Sequence, residues 1–363
     1  MSKLEQLIAE LCPDGVEYKT LSQVLIIKNG RDYKGFGAGE IPVYGTGGIM
    51  TYIDRAAFER PSVLIPRKGS LDKLYYVDVP FWTVDTIFYT DINTDIIEPK
   101  FVFYYLQSQH LEKLNMAGGV PSLTQAVLNT VKIPLPPLSV QREIVRILDN
   151  FTELTTELTT ELTARKKQYE YYRGMLLTFD DDAVKWMTLG EACSMRAGKA
   201  ISSTEISDTQ STHFLYPCYG GNGQRGYVKR YNQINEAPLI GRQGALCGNV
   251  CFAVGEYYAT EHAIVVAPGE NFTARFLYYL LTAMNLNQYK TAGAQPGLSV
   301  SKLEKIPIPL SPLAEQARIV AILDRFDALC NDLTSGLPAE IEARRQQYEY
   351  YRDKLLTFKE KPA

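Results

Sequence analysis

Two patterns of apolar and polar residues alternate along the chain. Over roughly the first 120 residues of each half, short runs rich in Val, Ile, Tyr and Phe are bounded by Gly, Pro, Asp and Asn, which is typical of β-strands and turns. We predict strands at residues 62–66, 74–79 and 86–90, then a helix at 100–114 with a copy at 274–288. Each region is therefore predicted to be a β-rich domain with a few helices.

A helical pattern follows each β-rich region. From residue 144 to residue 176, apolar residues recur at steps of three or four, which predicts a long amphipathic helix. Prolines at 134–137 and at 307–312 precede the two helical stretches, and they mark the exits from the globular domains because proline fits neither a helix interior nor a central strand. In the second stretch, Ser335, Gly336 and Pro338 predict a break.

The chain is an internal duplication. DGVEYKTL at 14–21 matches DAVKWMTL at 182–189, IPRKGSL at 65–71 matches IGRQGAL at 240–246, and QYEYYR occurs at both 168–173 and 347–352. Each half is therefore a β-rich domain followed by a long helix. If the two helices pack antiparallel, they would hold two similar domains at opposite ends with pseudo-twofold symmetry.

These patterns predict an α+β protein with two β-rich domains in a tandem pseudo-twofold repeat, separated by two long antiparallel coiled-coil helices. The expected segments are an N-terminal helix, a first domain, a central helix, a second domain, a C-terminal helix with a break near 335–338, and a tail. Their limits are 1–15, 16–138, 139–181, 182–312, 313–358 and 359–363, respectively.

Composition restricts the class of function. The net charge of −3 argues against a free-standing electrostatic nucleic-acid binder, although region 183–312 carries 11 basic and 8 acidic residues. The six cysteines are scattered without a CxxC motif, and the first residues, MSKLE, lack an apolar signal region, so we expect a cytoplasmic location. No apolar run approaches the roughly 18 to 20 residues that span a bilayer, so we expect no membrane partner.

Catalytic motifs are absent from the sequence. RAGKA at 196–200 lacks the spacing of a phosphate-binding loop, and neither HExxH nor an Asn-Pro-Pro-aromatic segment occurs. Cys247, Cys251 and His262 are irregularly spaced in an apolar strand region, a pattern more typical of a core than of a metal site. We therefore predict no catalytic residue and no bound metal.

The arrangement resembles a known family. Two β-rich domains, each followed by a proline-rich lead-in, a Gln-x-x-Ile-Val segment and a helix ending in QYEYYRxxLLTF, resemble the specificity subunit of type I restriction-modification systems. The opening LIAELCPDGVEY at 7–18 is also similar to the start of many members. The resemblance covers nearly the whole chain. It implies that each half holds a target recognition domain that reads one part of a split, asymmetric DNA site.

The resemblance also implies partners. The chain would be a non-catalytic subunit of a type I site-specific deoxyribonuclease and DNA adenine methyltransferase complex. Its partners would be double-stranded DNA, two methyltransferase subunits and, through them, restriction subunits. No cofactor would bind this chain, because S-adenosylmethionine, ATP and Mg²⁺ would belong to the partner subunits. Neither the bases recognised nor the spacer length follows from the sequence.

Two other classes of function remain open. One is a coiled-coil scaffold without DNA specificity that presents two β-rich modules to protein or carbohydrate. The other is a stand-alone enzyme, against which the missing catalytic motifs weigh.

Three pairs of loops are candidates for DNA contact. The first pair places long donors beside glycine after a strand, where Arg can bond guanine, Gln can bond adenine and glycine lets the backbone approach a phosphate. The second pair is rich in glycine and aromatic residues, and the third carries hydroxyls and amides before the last strand. The candidate residues are Arg67, Lys68, Gly69, Arg242, Gln243 and Gly244; Tyr44, Thr46, Tyr219, Asn222, Gln224 and Arg225; and Ser122, Thr124, Gln295 and Ser299.

Each candidate also has a structural interpretation. The first pair would be solvated turns, the second ordinary hairpin turns, and the third a simple connection. Arg31, Lys34 and Lys199 are candidate phosphate contacts or solvated surface charges.

The helices carry two further signals. Residues 153–162 repeat a Thr-Thr-Glu-Leu unit, which is either a plain helical stripe or a spacer whose length sets the distance between the two domains. The QYEYYR segments place Tyr and Arg together, either as anchors for another subunit or, as we favour, to fasten the helices to their own domains. These residues are Tyr169, Tyr172, Arg173, Tyr348, Tyr351 and Arg352.

Overall fold

The computed structural model describes residues 3–115, 121–180, 184–244, 246–291 and 296–362. The chain forms two compact units. Unit 1 comprises Met1–Thr159 with Glu340–Ala363, and unit 2 comprises Thr160–Ala339. The last segment of the chain therefore belongs to the same unit as the first.

The first half contains five α-helices and nine strands among its described residues. In chain order they are α1 Lys3–Leu11, β1 Glu17–Thr20, α2 Leu21–Val24, β2 Leu25–Asn29, β3 Ile41–Gly45, β4 Gly48–Ile53, β5 Ser62–Pro66, β6 Tyr75–Val77, β7 Trp82–Thr83, β8 Ile87–Ile92, α3 Pro99–Ser108, α4 Gln125–Asn129, β9 Lys132–Leu135 and α5 Leu138–Leu176.

The described part of the second half repeats the order from β1 onward and divides its final helix in two. The elements are β10 Lys185–Thr188, α6 Leu189–Ala192, β11 Cys193–Ala197, β12 Tyr216–Gly220, β13 Gly223–Val228, β14 Ala237–Gly241, β15 Val250–Ala253, β16 Tyr258–Ala259, β17 Ala263–Pro268, α7 Ala274–Ala283, α8 Val300–Leu303, β18 Pro307–Leu310, α9 Leu313–Asn331 and α10 Leu337–Leu355.

The sheets of the two units have the same topology. Unit 1 has a two-stranded sheet β1-β9, a four-stranded antiparallel sheet β2-β8-β5-β6 and a three-stranded sheet β4-β3-β7 in which β3 and β7 are parallel. Unit 2 has β10-β18, β11-β17-β14-β15 and β13-β12-β16. This repeat confirms the predicted α+β class with two β-rich domains, whereas the antiparallel coiled coil stays a prediction.

One of the two inner strands of each four-stranded sheet is fully buried. All residues of β5 and of its counterpart β14 are buried, as expected for apolar strands covered on both faces. Two of the predicted strands have different limits in the structure. The strand predicted at 74–79 covers only Tyr75–Val77, and the strand predicted at 86–90 extends over Ile87–Ile92. The buried strands place the loops that follow them at one defined edge of each sheet.

The helix predicted at 100–114 was too long, and so was its copy at 274–288. The first ends at Ser108 and is followed by a 3₁₀ helix at Leu111–Leu114. His110 adopts a left-handed conformation with φ of 50°, and Asn285 does the same in the second copy with φ of 47°. A single left-handed residue stops an α-helix, so each predicted helix is divided into two shorter ones.

The long helix α5 has 39 residues, which corresponds to about 58 Å at the usual rise per residue. Its second copy is interrupted between α9 and α10, at residues 332–336, next to the predicted break. The Asp332 carboxylate accepts hydrogen bonds from the Thr334 and Ser335 hydroxyls. A side chain at Gly336 would lie 2.4 Å from the Ala328 carbonyl oxygen, so the turn needs glycine.

A buried glutamine joins each long helix to its domain. Gln141 is fully buried, and its side chain accepts from the Glu98 N–H at 2.8 Å and donates to the Pro136 carbonyl at 2.7 Å. Gln316 is equally buried and accepts from the Thr273 N–H at 3.0 Å. Because buried polar groups need partners, the Gln-x-x-Ile-Val segment fixes the start of each helix against the β-rich region.

Candidate nucleic-acid interface

The loop after β5 is held by backbone hydrogen bonds to two distant segments. The Arg67 N–H donates to the Thr86 carbonyl at 2.9 Å, and the Arg67 carbonyl accepts from the Leu123 N–H at 2.9 Å. Lys68 pairs with Ser122 as an isolated β-bridge. The first and third candidate loops of unit 1 are therefore in direct contact.

The loop after β14 repeats these bonds. The Arg242 N–H donates to the His262 carbonyl at 2.8 Å, and the Arg242 carbonyl accepts from the Leu298 N–H at 2.8 Å. Gln243 forms an isolated bridge with Gly297. The two units thus bring the same pair of loops together by the same backbone geometry.

Both loops turn at a left-handed glycine. Gly69 has φ of 86° and Gly244 has φ of 90°, a conformation that glycine adopts without a steric penalty. The Gly69 N–H donates to Pro121 at 3.0 Å, and the Gly244 N–H donates to Pro296 at 3.1 Å. Lys68 and Gln243 stand immediately before these turns and are exposed.

The glycine-rich hairpin joins the same cluster in unit 1. The Thr46 hydroxyl donates to the Thr86 carbonyl at 3.0 Å, which is the carbonyl that also accepts from Arg67. The Tyr75 hydroxyl donates to the Thr46 carbonyl at 3.0 Å. We call Thr46, Arg67–Gly69 and residues 121–122 the first loop cluster.

The equivalent hairpin approaches even more closely in unit 2. A side chain at Gly241 would lie 2.0 Å from the Gly221 carbonyl oxygen, and one at Gly221 would lie 3.1 Å from the Gln243 carbonyl oxygen. We call residues 221–225, 242–244 and 296–297 the second loop cluster. In both units, three candidate loops that are distant in sequence therefore form one surface.

The second loop cluster contains a cleft of about 590 Å³. Its lining residues are Gly221, Asn222, Arg225, Gln243, Gly244, Leu246 and His262. The sequence did not single out Leu246 or His262 as DNA contacts. Leu246 matches Leu71 in the repeat, but Leu71 is 3% exposed and Leu246 is 55% exposed, so the matching motif could not reveal it.

The side chains of the second cleft are available for binding. Arg225, Asn222 and Gln243 make no side-chain hydrogen bond or ion pair with any residue that the structure describes. The Arg67 guanidinium is less free, because it lies 3.4 Å from the Asp85 carbonyl and 5.8 Å from the Phe88 ring. The two clusters therefore present different sets of donors.

The two candidate tyrosines pack against aromatic side chains of their own domains. Tyr44 packs against Tyr75 and Phe81 at ring distances of 6.0 and 6.4 Å, and Tyr219 packs against Tyr257 at 5.7 Å. Burial raises the pKa of both Tyr44 and Tyr219. Both rings are half-buried, so their main contribution is to hold the glycine-rich hairpins in position.

The remaining candidates occupy several places. Arg31, Lys34 and Lys199 are exposed. The N–H groups of Arg31 and Lys199 donate to backbone carbonyls of the hairpin sheet at 2.8 and 3.0 Å. Gln224 is exposed on β13.

Two of the hydroxyl candidates, Thr124 and Ser299, lie at helix starts. Thr124 caps α4 by accepting from the Val127 N–H at 3.3 Å, and Ser299 precedes α8. Gln295 lies outside the described residues, as do the neighbouring glycines of the third loop pair, at 118–119 and 293.

Comparison with known proteins identifies the family. The family model described as type I restriction modification DNA specificity domain matches residues 13–166 and again residues 182–343. The chain belongs to the type I restriction-modification specificity subunits. The two matches correspond to the two halves of the duplication.

Individual relatives agree with this assignment. The type I restriction enzyme EcoprrI specificity subunit of Escherichia coli is 39% identical, over 92% of this chain and 93% of that protein. The EcoR124I/EcoR124II specificity subunit of E. coli is 34% identical, over 71% of this chain and 70% of that protein. The crystal structure of a type I restriction-modification S subunit from M. genitalium has a TM-score of 0.65 at 18% identity, covering 94% and 96% of the two chains. That last likeness concerns the fold.

The first QYEYYR segment of this specificity subunit packs within unit 2. Tyr169 and Tyr172 stack on Phe326 of α9 at 6.1 and 5.5 Å, and Arg173 lies 5.3 Å from the Tyr169 ring. Burial raises the pKa of Tyr169 to about 12. These side chains hold the C-terminal part of α5 against α9.

The second QYEYYR segment packs within unit 1. The Tyr348 hydroxyl donates to Gln107 at 3.1 Å, Tyr351 stacks on Phe151 at 5.6 Å, and Arg352 lies 5.7 Å from the Tyr348 ring. The copies thus make comparable contacts with their own units.

The cysteines of this specificity subunit are buried or half-buried. Burial raises the pKa of Cys251 to about 11, so its thiol stays protonated at neutral pH. Among the described residues, no group of three or more His, Cys, Asp or Glu side chains is arranged to hold a metal ion. No helix in the described part of the chain is long and apolar enough to cross a membrane.

Proposed function

We propose that this specificity subunit reads a bipartite, asymmetric DNA site, with one loop cluster on each half-site. The observation that carries the proposal is the repeated convergence of three loops. In each unit, the loop after β5 or β14 meets the segment before the last strand through equivalent backbone bonds. The glycine-rich hairpin adjoins the loop after the buried strand, through the Thr46 hydroxyl in unit 1 and through the close approach of Gly221 to Gly241 in unit 2. Two similar frames that carry different side chains suit two different half-sites.

The exposed chemistry of both clusters suits DNA. Long donors such as Lys68, Arg225 and Gln243 bond base edges or phosphates, and the adjacent glycines let the backbone approach a groove. Two readers held at a fixed separation would recognise two half-sites with a fixed, unread spacer, as dimeric DNA-binding proteins do with symmetric sites.

The long helices would connect this reading to catalysis by other subunits. We infer that they dock two methyltransferase subunits and, through these, restriction subunits. The chain itself would be non-catalytic, with S-adenosylmethionine, ATP and Mg²⁺ bound by the partners. The net charge of −3 is consistent with partners that enclose the duplex and neutralise much of its phosphate charge. We therefore expect the isolated subunit to bind DNA weakly.

The proposal is tested by mapping methylated adenines in DNA from cells that express this chain with a cognate methyltransferase subunit. A single split motif is expected. Exchange of either β-rich domain for that of a relative should change only one half of the motif. A soluble, assembled complex that leaves no motif would refute DNA reading and favour the scaffold function.

Point variants locate the interface. Gln243→Ala and Lys68→Ala should each weaken binding of the assembled complex to its site, as measured by fluorescence anisotropy. Lys132→Ala is the matched control, because Lys132 is exposed, pairs with Glu360, and belongs to the sheet β1-β9 and not to the first loop cluster. Equal binding by all three variants and the wild type would exclude the loop clusters as the contact surface.

A further inference from the structure

The tips of the two glycine-rich hairpins are structurally equivalent. In each ladder the register shifts just before the tyrosine, and the second strand begins at a left-handed glycine, Gly48 in unit 1 and Gly223 in unit 2. Two residues after this glycine stand Met50 and Arg225, respectively. These two residues therefore occupy the same position of the repeat.

The two side chains also follow the same course. Met50 Sδ lies 2.6 Å from the place where a side chain at Gly45 would begin, and Arg225 Cδ lies 2.5 Å from the corresponding place at Gly220. Each side chain thus folds back over the glycine at the end of the preceding strand. The two side chains occupy equivalent positions, and they differ in their terminal groups, a thioether in Met50 and a guanidinium in Arg225.

The tip in unit 1 is apolar and exposed. Met50 is 57% exposed, and its neighbours Ile49 and Tyr52 are 50% and 51% exposed. Grouped apolar side chains at a protein surface mark a binding site more often than isolated ones do. The tip adjoins the first loop cluster, because a side chain at Gly69 would lie 3.8 Å from the Thr46 methyl group.

The tip in unit 2 is polar. Arg225 lines the same cleft as Gln243 and His262, and its guanidinium makes no hydrogen bond or ion pair with a described residue. An exposed guanidinium carries a planar fork of donors that matches the O6 and N7 acceptors of guanine in the major groove. A thioether has no donor, but it can contact the thymine methyl group.

We propose that Met50 and Arg225 are equivalent specificity-determining residues: Arg225 reads a guanine in one half-site, and Met50 packs against a thymine methyl group in the other. This inference rests on the proposed function and adds to it the chemical reason why the half-sites differ. It predicts that exchanging the two side chains exchanges a base preference without moving either loop cluster.

The experiment uses the complex assembled with a cognate methyltransferase subunit. Methylated-adenine mapping first gives the wild-type motif, and competition binding then compares duplexes that carry each base pair at every position of both half-sites. Arg225→Met should reduce the preference for guanine at one position by about tenfold or more. Met50→Arg should create a preference for guanine at one position of the other half-site.

Two further variants separate base reading from charge. Arg225→Lys keeps the charge but loses the fork, so it should keep most of the affinity and lose most of the preference. Arg230→Met removes the same charge from an exposed residue of unit 2 that lies outside the cleft and pairs with Glu205 at 3.5 Å. It should leave every base preference unchanged.

The outcomes distinguish this inference from the proposed function. A wild-type complex without a split motif would contradict the proposed function itself. A wild-type split motif whose base preferences stay unchanged in Arg225→Met, Arg225→Lys and Met50→Arg would overturn the role of the tips. Because Met50 and Arg225 are exposed, thermal unfolding should be unchanged. If Arg225→Met does not fold, Arg225→Lys and Met50→Arg decide the question.

Discussion

The joints between domain and helix are nearly identical in the two units, whereas the loop clusters differ. In unit 1 the Tyr104 hydroxyl donates to Asp149 of α5 at 2.6 Å, and in unit 2 the Tyr279 hydroxyl donates to Asp324 of α9 at the same distance. Burial, together with the carboxylate, raises the pKa of both tyrosines well above the usual range. The two units thus share the contacts that attach the β-rich domain to its helix, whereas the exposed side chains of their loop clusters differ.

The second loop cluster is also packed more closely than the first. Gly221 and Gly241 meet where unit 1 has Thr46 and Pro66. Only residues without a side chain allow that approach, and it helps to shape the cleft beside Gln243. Backbone spacing as well as side-chain chemistry therefore distinguishes the two loop clusters.

The largest expected effect comes from shortening the helix that both units share. Deletion of residues 155–158, one Thr-Thr-Glu-Leu unit, removes about 6 Å and turns the helix by about 40°, which is comparable to a shift of one or two base pairs. Methylation at the original motif should be lost, and a motif with a different spacer but both half-sites intact should replace it. Methylated-adenine mapping measures this change.

Thr155→Ala combined with Thr156→Ala is the length-preserving control for this deletion. These hydroxyls donate to Phe151 and Thr152 one turn earlier in the helix, so their removal should leave the spacer unchanged. A deletion variant that keeps the original spacer would show that the helix does not set the distance between the half-sites.

A smaller effect is expected from filling the close approach in unit 2. Gly241→Ala places a methyl group 2.0 Å from the Gly221 carbonyl oxygen, and we expect it to lower the free energy of unfolding by about 3 kcal/mol because the backbone must shift. Thermal denaturation measures the loss. Gly47→Ala is the control, since a side chain there meets nothing within 4 Å. Equal melting temperatures for both variants would show that the approach is not required.

The smallest effect concerns stability at acid pH, because among the described residues only unit 1 has a buried carboxylate, Glu143, near the start of its long helix. Glu143 accepts hydrogen bonds from Arg146 at 2.7 Å and Lys3 at 3.0 Å, and these bonds lower its pKa to about 2. Unit 2 has Arg318 at the equivalent position. A carboxylate with a lowered folded-state pKa stabilises the fold above its ordinary pKa of 4.5, and this stabilisation is lost as the pH falls toward 2.

Glu143→Gln should therefore make the melting temperature less dependent on pH between about pH 5 and pH 3. Glu315→Gln is the control, because Glu315 pairs with Arg318 at a more exposed site, within one turn of α9, where an ion pair contributes little. Parallel melting curves for the wild type and Glu143→Gln across this range would contradict a stabilising role of the buried carboxylate.

Long helices with a regular apolar repeat were predictable from the sequence, whereas the conformations of single residues were not. The regular apolar spacing of α5 predicted a long helix, and Ser335, Gly336 and Pro338 predicted the break between α9 and α10. His110 gave no comparable signal, because a helix that ends at a left-handed residue usually has glycine or asparagine there and not histidine. The helix predicted at 100–114 was too long for that reason.

The duplication, the order of β-rich and helical regions, the family resemblance and the residue types of the candidate loops could all be recognised from the order of residues alone. Tertiary structure decided which loops meet and which side chains stay exposed: Arg67 bonds to Leu123, and Leu71 is buried while its counterpart Leu246 is exposed. The physical reason is that periodicity and turn chemistry are local properties of the chain. Contacts between distant segments depend instead on how the buried strands and helices pack together.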